Sequence, residues 1–434
     1  MPKVAFYTLG CKVNQYESAA MAELFEKRGY EVVDFDAKAD VYVINTCDVT
    51  NESGRKSRQV IRKAIRKNPS AKVAVVGCYA QLEPGQVSEL PGVSVVIGTK
   101  DRHKIVDLVE KAQASDEQVV AVGNIMKQRT FEDIAFKGHR LKTRAFLKIQ
   151  EGCNMFCSYC IIPYARGPIR SRAIESIMAE ARSLAKDGFK EIVLTGIHLG
   201  LYGFDFKDKK NHLLDVISMI AQIEGIERVR LSSIEALELT DEFLDGLLKI
   251  KSFCHHFHIP LQSGCDTVLK RMNRRYSTED FRNRVNYIRK LMPDVSITTD
   301  VIVGFPGETE EEFKMTESFI SEMEFSKLHV FPFSPRRGTV AADMPDQIEK
   351  SIKNERSQRL IQLSQKLERS FRENFLNTTR YVLFEDKKAD SKYEGLTENY
   401  IKVMVESKEN LHNQIKAVKL SKNTDNYIFG EIDE

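Results

Sequence analysis

Apolar positions in the first third of the chain fall in short strand-length runs, and longer amphipathic stretches separate them. Residues 4–9, 41–44, 73–76 and 93–97 read as strands, and 17–28, 52–67, 84–90 and 101–110 as helices. Strands alternating with helices imply a parallel, doubly wound sheet. Residues 113–143 are polar and irregular, with an edge strand expected at 119–122. The alternation restarts at Arg144. Strands are expected at 145–150, 191–195, 228–232, 256–260, 296–303 and 327–333. The helices between them are expected at 174–186, 213–223, 240–250, 266–272 with 278–291, and 308–323. Six strand–helix units in a row predict a partial barrel, open on one side, with its chemistry at the carboxyl ends of the strands.

Residues 349–375 read as one long charged helix. Short strands follow at 381–384, 400–405, 414–420 and 427–432, which fits a small antiparallel barrel of the oligonucleotide-binding kind. The expected architecture is therefore α/β in three domains and a linker: a doubly wound parallel sheet over 1–120, a linker over 121–143, a partial (β/α)6 TIM-like barrel over 144–370, and a small antiparallel β-barrel over 371–434.

Composition narrows the classes. A chain of 434 residues with 42% hydrophobic and 29% charged residues is an ordinary globular composition with room for several cores. No run of 18 apolar residues occurs, so no membrane span is expected. The first ten residues read as a strand rather than an export leader, and a cytoplasmic, reducing location is expected. The net charge of +3 is uneven: residues 1–150 hold 24 Lys and Arg against 18 Asp and Glu. That excess points weakly to a polyanionic partner.

The eight cysteines carry more information. Cys254 and Cys265 have no ligand-like spacing and read as buried apolar side chains. Cys153, Cys157 and Cys160 form a CxxxCxxC triplet just after the first barrel strand. Thiolates suit zinc or iron–sulfur clusters. Closed zinc sites need four ligands, usually as two pairs. Three thiolates on a four-iron cube instead leave one iron open to a substrate. Cys11, Cys47 and Cys78 each follow an expected strand of the first sheet, and parallel strands gather their carboxyl-end loops on one rim. They are therefore expected to form a second three-thiolate site.

These motifs resemble a known family. The triplet after a first barrel strand resembles the radical S-adenosylmethionine (SAM) superfamily, and the added flanking domains resemble its methylthiotransferases. The resemblance covers nearly the whole chain. It is carried by Gly10-Cys11-Lys12-Val13-Asn14-Gln15-Tyr16-Glu17, Asn45-Thr46-Cys47, Gly77-Cys78, Gly152 through Gly167, Ile259-Pro260-Leu261-Gln262-Ser263-Gly264 and Asp300 through Thr309. The last domain resembles a TRAM domain, which contacts RNA. Lys12 through Glu17 resembles the branch that modifies N6-threonylcarbamoyladenosine beside the tRNA anticodon. The isopentenyladenosine branch and the branch acting on a ribosomal-protein aspartate are the alternatives, and a zinc-holding RNA-binding protein is a reading from another class.

The resemblance implies two [4Fe-4S] clusters, one held by Cys153, Cys157 and Cys160 and an auxiliary one by Cys11, Cys47 and Cys78. It implies SAM as both radical source and methyl donor. Its 5′-deoxyadenosyl radical would take hydrogen from carbon 2 of the adenine, where the methylthio group is then placed. SAM contacts are expected at Thr195, Gly196, Ser232, Gln262 and Gly304; the stretch Gly304–Gly307 reads equally as a strand-to-helix turn. His255, His256 and His258 are expected to be packing or strand-face residues. The implied partners are the tRNA anticodon stem-loop, an electron donor and a sulfur donor. RNA contacts are sought on the basic helix holding Arg55, Lys56, Arg58, Arg62, Lys63, Arg66 and Lys67, in the stretch from Lys270 to Tyr276, and on a strip of Lys402, Lys416, Lys419 and Lys422; a solvated charged face is the bland alternative.

Overall fold

The computed structural model describes residues 1–134, 143–207, 212–388 and 391–433. The expected linker over 121–143 therefore lies partly outside the described residues.

Six parallel strands form the first sheet: β1 (Lys3–Thr8), β2 (Glu31–Val33), β3 (Val41–Thr46), β4 (Lys72–Gly77), β5 (Val93–Ile97) and β6 (Val119–Ala121). Their order is β2-β1-β3-β4-β5-β6. Alternate residues of β3 serve opposite faces. Tyr42 and Ile44 pack beneath the helix Asn51–Lys67, against Ile61 and Ala64. Val41 and Val43 pack with Met21 and Phe25 of the helix Lys12–Lys27 and with Val109 of Ile105–Ser115. The sheet is doubly wound, as expected. Chain direction switches between β1 and β3, and loops beyond that point form the ligand crevice of such sheets. Cys11 and Cys47 lie in those two loops.

The central barrel is two parallel arcs. One joins β7 (Arg144–Lys148), β10 (Glu191–Thr195) and β11 (Arg228–Leu231); the other joins β12 (His256–His258), β13 (Ser296–Val303) and β14 (Lys327–Pro332). Isolated bridges at Val229–Phe253 and Ser233–His258 connect the arcs. Between β7 and β10 lie two short antiparallel strands, β8 (Gln150–Glu151) and β9 (Arg170–Ser171). Outward residues such as Leu147, Ile192, Val229, Phe257 and Val301 join one core with the surrounding helices. The inward positions are polar: Arg230 meets Glu191, His258 meets Asp300, and His256 meets Thr298. A filled apolar barrel would have no room for a polar substrate; this interior is built differently.

The last domain is a closed barrel in the order β15-β16-β17-β19-β18, with β15 Thr379–Lys387, β16 Lys392–Thr397, β17 Lys402–Glu406, β18 Ile415–Asn423 and β19 Ile428–Ile432. The strand β16 was not foreseen, because KYEGLT has no run of apolar residues. The domain docks on the N-terminal mouth of the central barrel. Arg228 donates to the carbonyls of Leu396 (2.9 Å) and Tyr381 (2.6 Å), and Tyr400 stacks on His256 with ring centroids 4.6 Å apart.

Candidate functional site

The first three cysteines converge. Cys11 caps the helix Lys12–Lys27, Cys47 follows β3, and Cys78 opens the short helix Cys78–Leu82 after β4. Gly10 has φ of +100°, and a Cβ there would lie 2.9 Å from Cys47 Cβ and 3.1 Å from its sulfur. The lack of a side chain is what lets the Cys11 loop approach Cys47. Asn14 ties the loops together: its amide donates to the carbonyls of Leu9 (2.7 Å) and Thr46 (3.1 Å). Burial raises the pKa of Cys47 and pushes that of Cys78 up to about 12, and both thiols also feel Cys11.

The second group is held by its own loop. The Cys153 N–H donates to the Gly167 carbonyl (3.0 Å), and the Cys160 N–H to that of Cys157 (2.9 Å). Burial, with Cys157 and Cys153 beside it, pushes Cys160 up to about 12. Two cationic groups point at the sulfurs: Arg274 donates to Cys157 (3.4 Å), and His198 Nδ1 lies 3.4 Å from Cys153. Burial opposes charge on His198, yet its hydrogen bonds to Cys153 and Glu238 hold its pKa up at about 10. Soft sulfur donors faced by cations suit an anionic thiolate-ligated cluster.

The two groups meet through Arg166. Its Nε–H donates to Cys78 (3.3 Å), while its other nitrogens donate to Glu17 (2.5 Å) and Glu151 (2.7 Å) and to Asn14. Arg166 directly precedes Gly167, whose carbonyl holds Cys153. Arg102 and Lys148 complete a fully buried network around the same carboxylates. Charge within a core is tolerated only when paired in this way.

Of the expected SAM contacts, Thr195 ends β10 with its hydroxyl donated to the Val193 carbonyl (3.2 Å). Gly196 is pressed against Gln150: a Cβ would meet Gln150 Oε1 at 2.9 Å. The buried Ser232 hydroxyl has no partner among the described residues, which leaves it free for a ligand. Gln262 adopts φ of +64° and bridges β13 through its backbone. Gly304 makes the expected turn: its N–H binds the Glu308 carboxylate (2.6 Å), and the Lys353 stem fills the space a side chain would need.

Sequence reasoning missed His198, and it named Arg166 and Arg274 only inside longer stretches, without the contacts found here. The period-two pattern Arg228-x-Arg230-x-Ser232 and His256-x-His258 already signals polar residues on one face, but no local signal marks partners from other domains. Cys254 is buried and Cys265 sits in an apolar cluster, as expected. His256 and His258 are strand-face residues of the interior, and His255 pairs with Asp294 (2.8 Å). Within the stretch from Lys270 to Tyr276, Arg274 and Tyr276 are committed inward. On the basic helix, Lys63 and Lys67 pair with Asp36, and Arg55 with Glu52.

A Radical SAM superfamily model matches residues 147–320, and a model described as uncharacterized protein family UPF0004 matches residues 3–98. The chain is 48% identical over 426 residues to threonylcarbamoyladenosine tRNA methylthiotransferase MtaB of Bacillus subtilis (strain 168), with 97% of the chain and 94% of that protein covered. It is 41% identical to the protein of the same name in Aquifex aeolicus (strain VF5), covering 92% and 96%. It is 32% identical to the tRNA-2-methylthio-N(6)-dimethylallyladenosine synthase of Methylacidiphilum infernorum (isolate V4), covering 99% and 94%. Among solved structures, the radical SAM methyltransferase TsrM from Kitasatospora setae superposes with a TM-score of 0.56 at 15% identity, over 79% of this chain and 74% of that one. That likeness is one of fold.

Proposed function

Because the chain belongs to the radical SAM methylthiotransferase family, we propose that it converts N6-threonylcarbamoyladenosine beside the tRNA anticodon to its 2-methylthio derivative, with SAM as radical source and methyl donor. The observation that carries the reading is the convergence of two three-cysteine groups on the two sides of Arg166. The choice of adenosine is supported by the higher identity to the threonylcarbamoyladenosine enzymes than to the dimethylallyladenosine enzyme.

The residues fit the groups the family uses. Cys153, Cys157 and Cys160 would hold a [4Fe-4S] cluster, and Cys11, Cys47 and Cys78 an auxiliary one; each set offers three soft donors and leaves one iron without a protein ligand. When bound, these groups supply the one-electron cleavage of SAM and the sulfur that reaches carbon 2 of the adenine. The chain supplies the rest. Arg274 and His198 donate toward the Cys157 and Cys153 sulfurs and stabilise their anionic forms. Arg166 does the same for Cys78 and fixes the two domains in one relative position. Ser232, Thr195 and Gly196, at the carboxyl ends of neighbouring strands, line the place for SAM. The half-exposed rings of Phe156 and Tyr164, 5.7 Å apart edge to face, stand beside the second cysteine group and offer a stacking surface to an unpaired base.

The reaction needs an electron donor and a sulfur source in addition to tRNA. Among the described residues no helix is long and apolar enough to cross a membrane. The test is anaerobic reconstitution with iron and sulfide, then incubation with SAM, reductant and tRNA from a strain lacking the modification, with nucleosides read by mass spectrometry. The 2-methylthio derivative of threonylcarbamoyladenosine is expected. Methylthiolation of isopentenyladenosine alone, or of no nucleoside, overturns the reading.

A further inference from the structure

The second arc of the barrel carries three ligand-type side chains that the proposed reaction does not use. β12 and β13 pair with His258 beside Thr298, and β13 and β14 pair with Asp300 beside His329. Side chains alternate across a strand, so Thr298 and Asp300 share one face of β13, and the register brings His258 and His329 to that face. Their neighbours Phe257, Val301 and Leu328 lie in the apolar core outside the barrel. His258, Asp300 and His329 therefore face the interior from three adjacent strands.

The three side chains converge. His258 Nε2 is 3.2 Å from Asp300 Oδ2, and the His258 and His329 ring centroids are 5.5 Å apart. One ligand atom from each lies within 4.8 Å of the other two. Two ligands about 2.1 Å from a shared tetrahedral zinc lie roughly 3.4 Å apart. His258 and Asp300 already stand at that spacing, and His329 is exposed, so its ring can turn the remaining distance.

The hydrogen bonds prepare His258 as a ligand. The Thr298 hydroxyl donates to the Phe257 carbonyl (3.4 Å) and accepts from Nδ1–H of His258 (2.9 Å). That tautomer leaves a lone pair on Nε2, opposite the Asp300 carboxylate. Two acceptors at this range need a cation between them. A proton on Nε2 would satisfy His258 and Asp300 but give His329 no part. A metal ion uses all three, and a histidine ligand whose other N–H is held by a second residue is the common arrangement. The arginines of the facing arc are neutralised in place, Arg230 by Glu191 (2.6 Å) and Arg144 by Glu385 (2.6 Å).

We propose that His258, Asp300 and His329 form a binding site for one divalent transition-metal ion of the zinc type, distinct from the two cysteine groups. Two imidazoles and a carboxylate suit zinc, whereas magnesium and calcium take oxygen ligands. Three protein ligands leave a coordination position for water or for an oxygen or nitrogen donor of a molecule held in the barrel. The site does not depend on which adenosine is modified.

The test uses the full-length protein, first reconstituted anaerobically with iron and sulfide so that the cysteines are occupied. It is then equilibrated with zinc and desalted, and zinc and iron are counted together by elemental mass spectrometry. The wild-type protein is expected to retain about one zinc per chain with its iron unchanged. Asp300→Asn and His329→Gln are each expected to lose that zinc and keep the iron. His255→Gln, whose ring pairs instead with Asp294, is expected to keep both. His329 is exposed, so His329→Gln tests the site even where Asp300→Asn fails to fold. A wild-type protein that retains no zinc overturns the proposal and leaves a proton shared by His258 and Asp300. Retention of the wild-type zinc by His329→Gln or by Asp300→Asn overturns it as well. Neither result bears on the substrate reading, which nucleoside analysis decides.

Discussion

Arg166 donates from Nε to the sulfur of Cys78 at 3.3 Å, across the boundary between the first sheet and the central barrel. The same guanidinium binds Glu17 of the first domain and Glu151 of the second. One side chain therefore positions a cysteine of one group and fixes the loop that carries the other. Arg166→Met would remove one of the three cations that share the buried carboxylates of Glu17 and Glu151. Loss of one partner from such a network costs about 3–5 kcal/mol. The expected outcome is a lower urea midpoint together with reduced iron content; an unchanged midpoint would show that the two domains do not depend on this contact.

The same network makes stability depend on acid. Burial works against charge on Glu17, but Arg102, Arg166 and Lys148 outweigh it and hold its pKa down at about 2, against an ordinary value of 4.5. Glu151 is held well below its ordinary value too: burial opposes this, and Lys148, Arg166 and Arg102 overcome it. A depressed folded-state pKa gives stability that is fully present above the unfolded value and is lost as pH falls through the folded one. Urea midpoints are expected to fall between about pH 4.5 and pH 2. Glu17→Gln should start lower at neutral pH and lose less over that interval. A wild-type midpoint that stays flat across it would contradict the ionised assignment.

Tyr400 joins the last domain to the barrel. It adopts φ of +70°, an uncommon conformation for a bulky residue, so its contacts must hold it there. Those contacts are the His256 ring, the Arg230 guanidinium 4.7 Å from the ring centroid, and the Arg144 hydrogen bond. Tyr400 is half-buried, so Tyr400→Ala is expected to cost about 2 kcal/mol, below the range for a fully buried aromatic. Limited proteolysis should then release the last domain early. Tyr400→Phe loses only the hydroxyl contact and should cost about 1 kcal/mol.

Gly10 and Gly29 separate backbone strain from crowding. Both have positive φ, but a Cβ at Gly29 meets nothing within 4 Å, whereas one at Gly10 presses on Cys47. Each alanine substitution should cost about 1–2 kcal/mol from the backbone alone. Only Gly10→Ala is expected to lower iron binding, measured after reconstitution. Equal iron loss in both variants would remove the steric explanation.

Much of this was readable from periodicity. Glu191–Thr195, Ser296–Val303, Ile174–Lys186 and Thr278–Leu291 form where the apolar spacing puts them. The helix Lys12–Lys27 begins five residues before the expected start, because its first turn, Lys12 to Gln15, is mostly polar and is anchored by Asn14 rather than by an apolar stripe. The strand β2 escaped because its three residues lie on a sheet edge. The six cysteines were found by spacing and by their places after strands. The contacts of Arg166 and Arg274 were not, since each acts across elements far apart in sequence and nothing local to them encodes the partner.

The central claim is that the six cysteines form two separate sites, each required for reaction. The most direct measurement is iron content after anaerobic reconstitution, paired with tRNA nucleoside mass spectrometry. It compares the wild-type protein with the Cys11→Ala/Cys47→Ala/Cys78→Ala and Cys153→Ala/Cys157→Ala/Cys160→Ala variants. The account predicts about eight irons per wild-type chain and about four in each variant, from two four-iron clusters, with no methylthiolated product from either variant. A variant of either group that retains the wild-type iron content and product would contradict it.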